Sequence, residues 1–381
     1  MPVKARLKGA SLFVDDVDFD RSARRLLGFF QQPGAKPPTD LSVAREALAK
    51  LLGHENLHAL RAVATPAPTR PTQKRIASSL PLKPTIRIAP TATLADLGFH
   101  PEQARLLNAV METPAGAILV AGVTGGGKTT TIQCLLNSYR AHNPKSTIAT
   151  AEFTREHEIQ DACPIVFQHS FPEAGPLSRW NAIKEAMLRR DPDLIMVDEI
   201  ADADSAAGMA DILQTGHKLI AAVHANGVFG ILQRLSAMGL TGETLGSPGF
   251  LTALVYQTLV PKTCVHCHVP SLTDEALRLL PRHYKPGDTI YHRNPAGCSN
   301  CDFMGIKGHT VCAEVVVPDL ELRNRIREEQ FSGAWSYWKH VMPKRGENDM
   351  AGVSALEHAI MKIRAGEVSP EAVRNVLGPL E

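Results

Sequence analysis

Residues 117–131 read AILVAGVTGGGKTTT, and this stretch constrains the fold more than any other. A short apolar run of strand length ends at Gly122. Three glycines follow at 125–127, then Lys128, Thr129 and Thr130, opening the helix-compatible run TTTIQCLLN. The pattern G-x-x-x-x-G-K-[ST] needs a buried strand before it and a helix after it. Its glycines leave backbone N–H groups free to wrap phosphate oxygens at a helix N-terminus. The loop Gly122, Val123, Thr124, Gly125, Gly126, Gly127 with Lys128, Thr129 and Thr130 is therefore read as a nucleotide-phosphate cradle. Lys128 is expected to reach the β- and γ-phosphates, and the Thr129 hydroxyl to ligate Mg²⁺.

The rest of the chain is read around that unit. Apolar strand-length runs recur at Thr147–Ala151, Leu194–Val197 and Leu219–Val223, alternating with helical stretches such as Pro101–Glu112 and Arg179–Arg189. Strands alternating with helices predict a parallel sheet covered on both faces. The run ending at Asp198 and Glu199 has the form of a Walker B segment. One acid is suited to hold Mg²⁺ through water and the other to activate an attacking water.

Composition narrows the class. The chain has 381 residues, 44% of them apolar and 21% charged, as in an ordinary globular protein. Lys plus Arg total 41 and Asp plus Glu 39, so no excess of cations points to nucleic acid. No apolar run approaches the ~18 residues of a membrane span, and the N-terminus lacks a signal-peptide core. The chain is read as cytoplasmic.

Two C-x-x-C pairs, Cys264/Cys267 and Cys298/Cys301, flank residues 268–297. In a reducing compartment such pairs more often hold a metal than form disulfides, and four thiolates suit tetrahedral Zn²⁺. His266 and His268 lie beside an already complete set and are expected to face solvent or support it. Cys134, on the helix after the loop, reads as core packing.

Four regions follow: 1–92, a small α+β N-terminal domain and linker; 93–262, the core; 263–310, the Cys₄ subdomain; and 311–381, a helical C-terminal region. Residues 41–52 read as a helix, Lys74–Ser79 and Thr85–Ala89 as short strands, and Ser354–Arg364 as the clearest helix of the tail.

With these motifs in place, the chain resembles the type II secretion and type IV pilus assembly ATPases of the secretion-ATPase superfamily. Glu152 and Glu156 fit the glutamates of that family's E-D-P-x-E box, with Phe153 and Thr154 replacing its Asp and Pro. Residues 188–205, LRRDPDLIMVDEIADADS, fit its next block, with Asp198 for a Gly and Ala201 for an Arg. Thr215-Gly216-His217 and Val223-His224-Ala225-Asn226 fit its histidine box. The metal region matches the extension-type pattern, in which a helix ending in Val or Leu precedes K-x-C-x-x-C. Here that is Leu259 to Cys267, then Gly297 to Gly308, with His309 in place of an Arg. The resemblance covers about residues 73–318.

The resemblance implies a RecA-like P-loop NTPase core with a zinc-binding insertion. It implies ATP, Mg²⁺ and Zn²⁺ as cofactors. Glu199 would be the general base, Glu152 a second acid near Mg²⁺ or the water, and His224 a sensor of the γ-phosphate. His217 stays open between a role in that box and a hydrogen-bonded histidine at a strand start. Arg75 and Arg87 are candidates for cations reaching the nucleotide from the preceding domain. The partners implied are further copies of the chain, a hexamer, and an inner-membrane platform protein, with the motor peripheral at that membrane. The Cys₄ pattern favours extension or secretion over retraction. Three functions follow: a motor for pilus or pseudopilus assembly, with a conjugation-linked type IV secretion ATPase as a variant; a nucleotide-binding ring subunit with little hydrolysis; and a nucleic-acid motor. Ala201 and Phe153 favour the second. The histidine box together with four cysteines disfavours the third.

Overall fold

The computed structural model describes residues 3–7, 10–14, 92–152, 163–166, 191–271, 278, 280, 282–285, 288–344, 346 and 349–380. Contacts divide the chain into two compact units, Met1–Thr85 and Ile86–Glu381. In the first, strands β1 (Val3–Leu7) and β2 (Ala10–Val14) pair antiparallel, Val3 opposite Val14. The helix expected at 41–52, the strands expected at 74–79 and 85–89, the helix expected at 179–189, and Arg75 and Arg87 lie outside the described residues.

The second unit is built on a seven-stranded sheet. In chain order its strands are β3 (Gly116–Ala121), β4 (Ile148–Glu152), β5 (Cys163–Val166), β6 (Leu194–Glu199), β7 (Lys218–Val223), β8 (Leu251–Thr263) and β11 (Ile306–Val316). Across the sheet the order is β11-β8-β3-β7-β6-β4-β5. Every neighbouring pair is parallel except β11 with β8, which closes one edge antiparallel.

Helices cover both faces, which is why the central strands read as unbroken apolar runs rather than alternating ones. All six residues of β3 and all six of β7 are buried. Ala117, Leu119 and Ala121 turn to the core shared with α4 (Ala203–Gln214), α5 (Val228–Ala237) and α8 (Phe331–His340). Ile118 and Val120 turn to the core shared with α1 (Leu94–Leu97), α2 (Pro101–Met111) and α3 (Lys128–His142). Cys134 lies in this second core at 1% exposure, its thiol donating to the Ala92 carbonyl at 3.0 Å, as a packing residue should. The short helix α6 (Gly242–Leu245) and α7 (Leu320–Arg327) complete the first layer. A third core joins β8 and β11 to α9 (Ala355–Arg364) and α10 (Pro370–Leu377).

Two expectations are corrected. The helix that the extension-type pattern places before Lys262 is the thirteen-residue strand β8. Its stretch LTALVYQTLV is rich in β-branched and aromatic residues, and neighbours on both sides take up its backbone groups. The helical tail exists in α7 to α10, but residues 311–316 belong to β11. Val311, Cys312, Ala313, Val315 and Val316 are buried there, so a run that could have been a helix is consumed as a two-faced edge strand.

Two buried polar side chains fix the helices to the sheet. Lys218 is 1% exposed; its ammonium donates to the carbonyls of Val110 and Thr113 at 2.7 Å and to the Thr113 hydroxyl at 2.8 Å. Burial pushes it down to about 8. His358 on α9 is 3% exposed, and its Nδ1 accepts the backbone N–H of Ala313 at 3.1 Å. Burial, helped by the nearby charges of Lys362 and His100, pushes this imidazole down to about 3.

The unfolded chain protonates His358 near the ordinary 6.5, while the folded ring resists until about 3. The unfolded state therefore binds more protons in that window, and stability present above it is lost as the pH falls through it. Thermal unfolding of wild type and His358→Gln between pH 7 and pH 3 should show a steeper acid decline for wild type, the difference between the two falling steadily through that window.

Candidate functional site

The parallel strands all finish at one edge of the sheet, and the cradle sits there. β3 ends at Ala121, level with Val223 of β7. Gly122–Gly127 then cross to α3, whose N-cap is Gly127 at φ 83°, with no side-chain cap and no acid in the first turn. A helix N-terminus left uncapped in this way presents free N–H groups and a positive dipole end to an anion.

Two glycines are required by the geometry. At Gly122 a Cβ would lie 2.4 Å from the Gln257 carbonyl oxygen on β8. At Gly127 the positive φ strains any L side chain, and a Cβ would come 3.2 Å from the Gln257 amide nitrogen. Gln257, fully buried, donates from Nε2 to the Gly126 carbonyl at 2.8 Å. β8 thus holds the loop from below. The sequence reading missed this tether; its signal is a polar residue inside an otherwise apolar strand-length run.

Lys128, Glu199 and His224 meet beside the loop. The Lys128 ammonium donates to the carbonyls of Gly122 at 2.9 Å and Val123 at 3.2 Å. It also lies 3.5 Å from His224 Nδ1, and His224 Nε2 lies 3.4 Å from Glu199 Oε1. A neutral imidazole with its proton on Nε2 satisfies both neighbours, accepting from lysine and donating to the carboxylate. Burial lowers the Lys128 ammonium, and the Glu199 charge opposes that shift.

The turn after Glu199 is pinned locally. A register shift between Val197 and Glu199 puts Asp198, half-buried, at an irregularity of the β6/β7 ladder. The Ser205 hydroxyl accepts the N–H groups of Ala201 and Asp202, both at 3.0 Å, while Asp202 caps α4 through the Ser205 N–H at 2.8 Å. Arg234 donates to the Ala201 carbonyl at 3.1 Å and fastens the turn from the side of α5. Glu152 ends β4, one residue past the Ala151–Val197 pair, and so shares the edge with Asp198 and Glu199. Glu156 lies outside the described residues.

His217 stands apart. It precedes β7 at the opposite edge of the sheet, six strand residues or roughly 20 Å from His224. There it contacts the Thr215 hydroxyl at 2.8 Å and Asp191 at 3.8 Å. That is the hydrogen-bonded strand-start histidine of the two readings left open.

The four cysteines converge between β8 and β11. Their sulfur atoms all lie within 4.8 Å of one another. Cys264 to Cys298 is 3.8 Å, Cys267 to Cys301 is 3.9 Å and Cys298 to Cys301 is 3.8 Å. Tetrahedral Zn–S bonds of about 2.3 Å place sulfurs about 3.8 Å apart, so this set fits the ion. The backbone N–H groups of Cys298 and Gly305 point at Cys301 Sγ from 3.2 and 3.1 Å. Burial works against ionisation of Cys301, while these donors and the neighbouring thiols lower its thiol; burial and the same thiol contacts raise that of Cys267. His268 stacks flat on Tyr291, ring centroids 3.8 Å apart, and supports the knob rather than joining the set. Beside it the short strands β9 (Val269–Pro270) and β10 (Tyr291–His292) pair antiparallel.

A parallel sheet with an uncapped glycine loop at its carboxyl edge and acids ending the strand next but one to the loop's own defines a RecA-like P-loop NTPase core, here with a tetracysteine knob at one end. More specifically, the chain belongs to the type II/IV secretion system protein family, whose family model matches residues 77–362. It is 29% identical over 273 residues to type II secretion system protein E of Klebsiella pneumoniae, covering 71% of this chain and 49% of that protein. It is 35% identical over 237 residues to the type IV pilus assembly ATPase PilB of Thermus thermophilus, covering 61% of this chain and 25% of that one. The chain therefore spans half or less of the length of these relatives. Among solved structures it resembles the pilus retraction motor PilT with bound ADP, at a TM-score of 0.51 and 20% identity over 74% of this chain and 66% of that one, a likeness of fold.

Gly127→Ala should destabilise the protein by about 1–2 kcal/mol, since a left-handed backbone conformation is imposed on a residue with a Cβ. Urea unfolding of the two proteins measures the difference directly.

Proposed function

We propose that the chain is an ATP-hydrolysing motor that drives assembly of a type IV pilus or a type II secretion pseudopilus. The functions of its relatives support the reading, and the observation that carries it is the Lys128–His224–Glu199 row beside the uncapped start of α3.

Each residue has a role its position suits. The N–H groups of Gly125 to Thr130 take the phosphates. Lys128 exchanges the Gly122 and Val123 carbonyls for phosphate oxygens. Glu199 draws the proton from the attacking water, and His224 reports the phosphate to that carboxylate through its ring. The Thr129 hydroxyl and Asp198, with Glu152 close by, form the hard oxygen set that Mg²⁺ prefers, and the ion supplies charge neutralisation at the phosphates when bound. Arg75 and Arg87 are proposed, on the family resemblance, to reach the nucleotide. Cys264, Cys267, Cys298 and Cys301 are proposed to hold one Zn²⁺ in a closed, structural site.

The motor would work as a ring of identical subunits, a hexamer, against an inner-membrane platform protein, on the cytoplasmic side of that membrane. Among the described residues no helix is long and apolar enough to cross a membrane. A ring subunit that binds nucleotide without turning it over is favoured by Ala201 in place of the family's arginine and Phe153 in its acidic box.

Turnover separates the two. Glu199→Gln should lower kcat by about 10²-fold or more, the usual loss of a general base, and Lys128→Ala should abolish turnover and weaken nucleotide binding. Wild-type protein no faster than the Glu199→Gln control would establish the ring-subunit reading. Elemental analysis should find about one zinc per chain, reduced in Cys298→Ser. A metal-free chain that folds normally would remove the zinc assignment.

A further inference from the structure

Glu314 is a carboxylate in the middle of β11 that no motif explains. Burial raises it above the ordinary carboxylate range, with the N–H groups of Val228 and Ala355 and the Lys339 charge working against the shift and the Glu357 charge adding to it. Its two oxygens go to two different helices. Oε2 accepts the N–H of Val228, the first residue of α5, at 3.2 Å; Oε1 accepts the N–H of Ala355, the first residue of α9, at 3.3 Å.

Both N–H groups need an outside partner. The N-cap of α5 is Gly227, which has no side chain to offer. The Ser354 hydroxyl at α9 is committed to the Glu357 N–H, leaving Ala355 unserved. One carboxylate between two positive helix ends fills both vacancies. It also stands opposite Tyr256 in the β8/β11 register, beside the Gln257 that tethers the loop.

The first of these helices begins four residues after His224. Gly227 is so near that a Cβ there would lie 3.7 Å from Glu314 Oε2. The second belongs to the C-terminal layer, where Lys339 of α8 reaches the Gly352 carbonyl at 2.8 Å and Ala313, next to Glu314, donates to His358.

We propose that Glu314 is a positioning residue for His224: it holds segment 224–228 against the lysine–histidine–glutamate row and joins it to the first turn of α9, so that the hydrolytic site and the C-terminal helices are displaced together. The kinetic half rests on the ATPase reading above; the structural half does not. No contact between Glu314 and the nucleotide is required, and the residue acts only through the backbone it holds.

The test uses the full chain as wild type, Glu314→Ala and Glu314→Gln, read by peptide-resolved hydrogen exchange and by steady-state ATP turnover. Glu314→Ala should speed exchange in 224–232 and in 352–360 together while β3 stays protected. It should lower kcat about tenfold or more with KM within about threefold, because a misplaced catalytic group costs the chemical step rather than binding. Glu314→Gln, which keeps one carbonyl oxygen, should fall between, and it carries the same test if the alanine variant does not fold. Faster exchange in only one of the two segments, or in neither, overturns the proposal. So does an unchanged kcat when both segments loosen. If wild type shows no turnover above Lys128→Ala, the ATPase reading fails, and the paired exchange response alone decides the role of Glu314.

Discussion

The loop between β3 and α3 has to leave a buried strand and start a helix within six residues while keeping N–H groups unspent, although Gly126 gives its own to the Val123 carbonyl at 2.9 Å. Most of the second unit can be understood as what that demand requires. The strand must be central, because only paired neighbours on both sides satisfy its backbone. The helix start must lack a cap, so the loop needs support from elsewhere, and β8 provides it through the Gln257 amide. Glycine at 122 lets the two backbones approach; a methyl group there would overlap the strand that carries the tether.

The acids and the histidine follow from the same arrangement. Parallel strands all release their chains at one edge, so Glu199 from β6 and His224 from β7 reach the loop without any special turn. Proteins of this architecture collect ligand-handling residues at the carboxyl ends of strands for this reason. The opposite edge collects anchors instead, and His217 and the ammonium of Lys218 are found there. Two histidines close in sequence thus end up with unrelated surroundings, separated by the length of one strand.

The parts legible in the sequence were those in which local pattern and tertiary role agree. The loop, the strands 116–121, 194–199 and 218–223 and the cysteine cluster carry their own chemistry in contiguous residues. What escaped depended on partners far away in the chain. Gln257, Arg234 and Glu314 make their contacts across 131, 33 and 86 residues. β8 and the start of β11 were misplaced because apolar runs of that length suit helix or strand alike until a neighbouring edge decides. No periodicity announces that the chain will return to pair with itself after an excursion through four cysteines.

That return gives the knob an unusual mounting. β8 pairs with β3 only as far as Tyr256; beyond that residues 257–263 run with 306–313 of β11 as a ribbon, fastened by a bridge from Lys262 to Val368 and by the Thr263 N–H to the Glu367 carbonyl at 3.0 Å. The ribbon begins at the residue that grips the phosphate loop and ends at the residue before the first cysteine. Val260 and Cys312 of this ribbon lie in the third core with residues of α9 and α10, so it is backed by the C-terminal helices. The cysteine knob is therefore seated on the same strand that grips the phosphate loop, and the C-terminal helices brace the length between them.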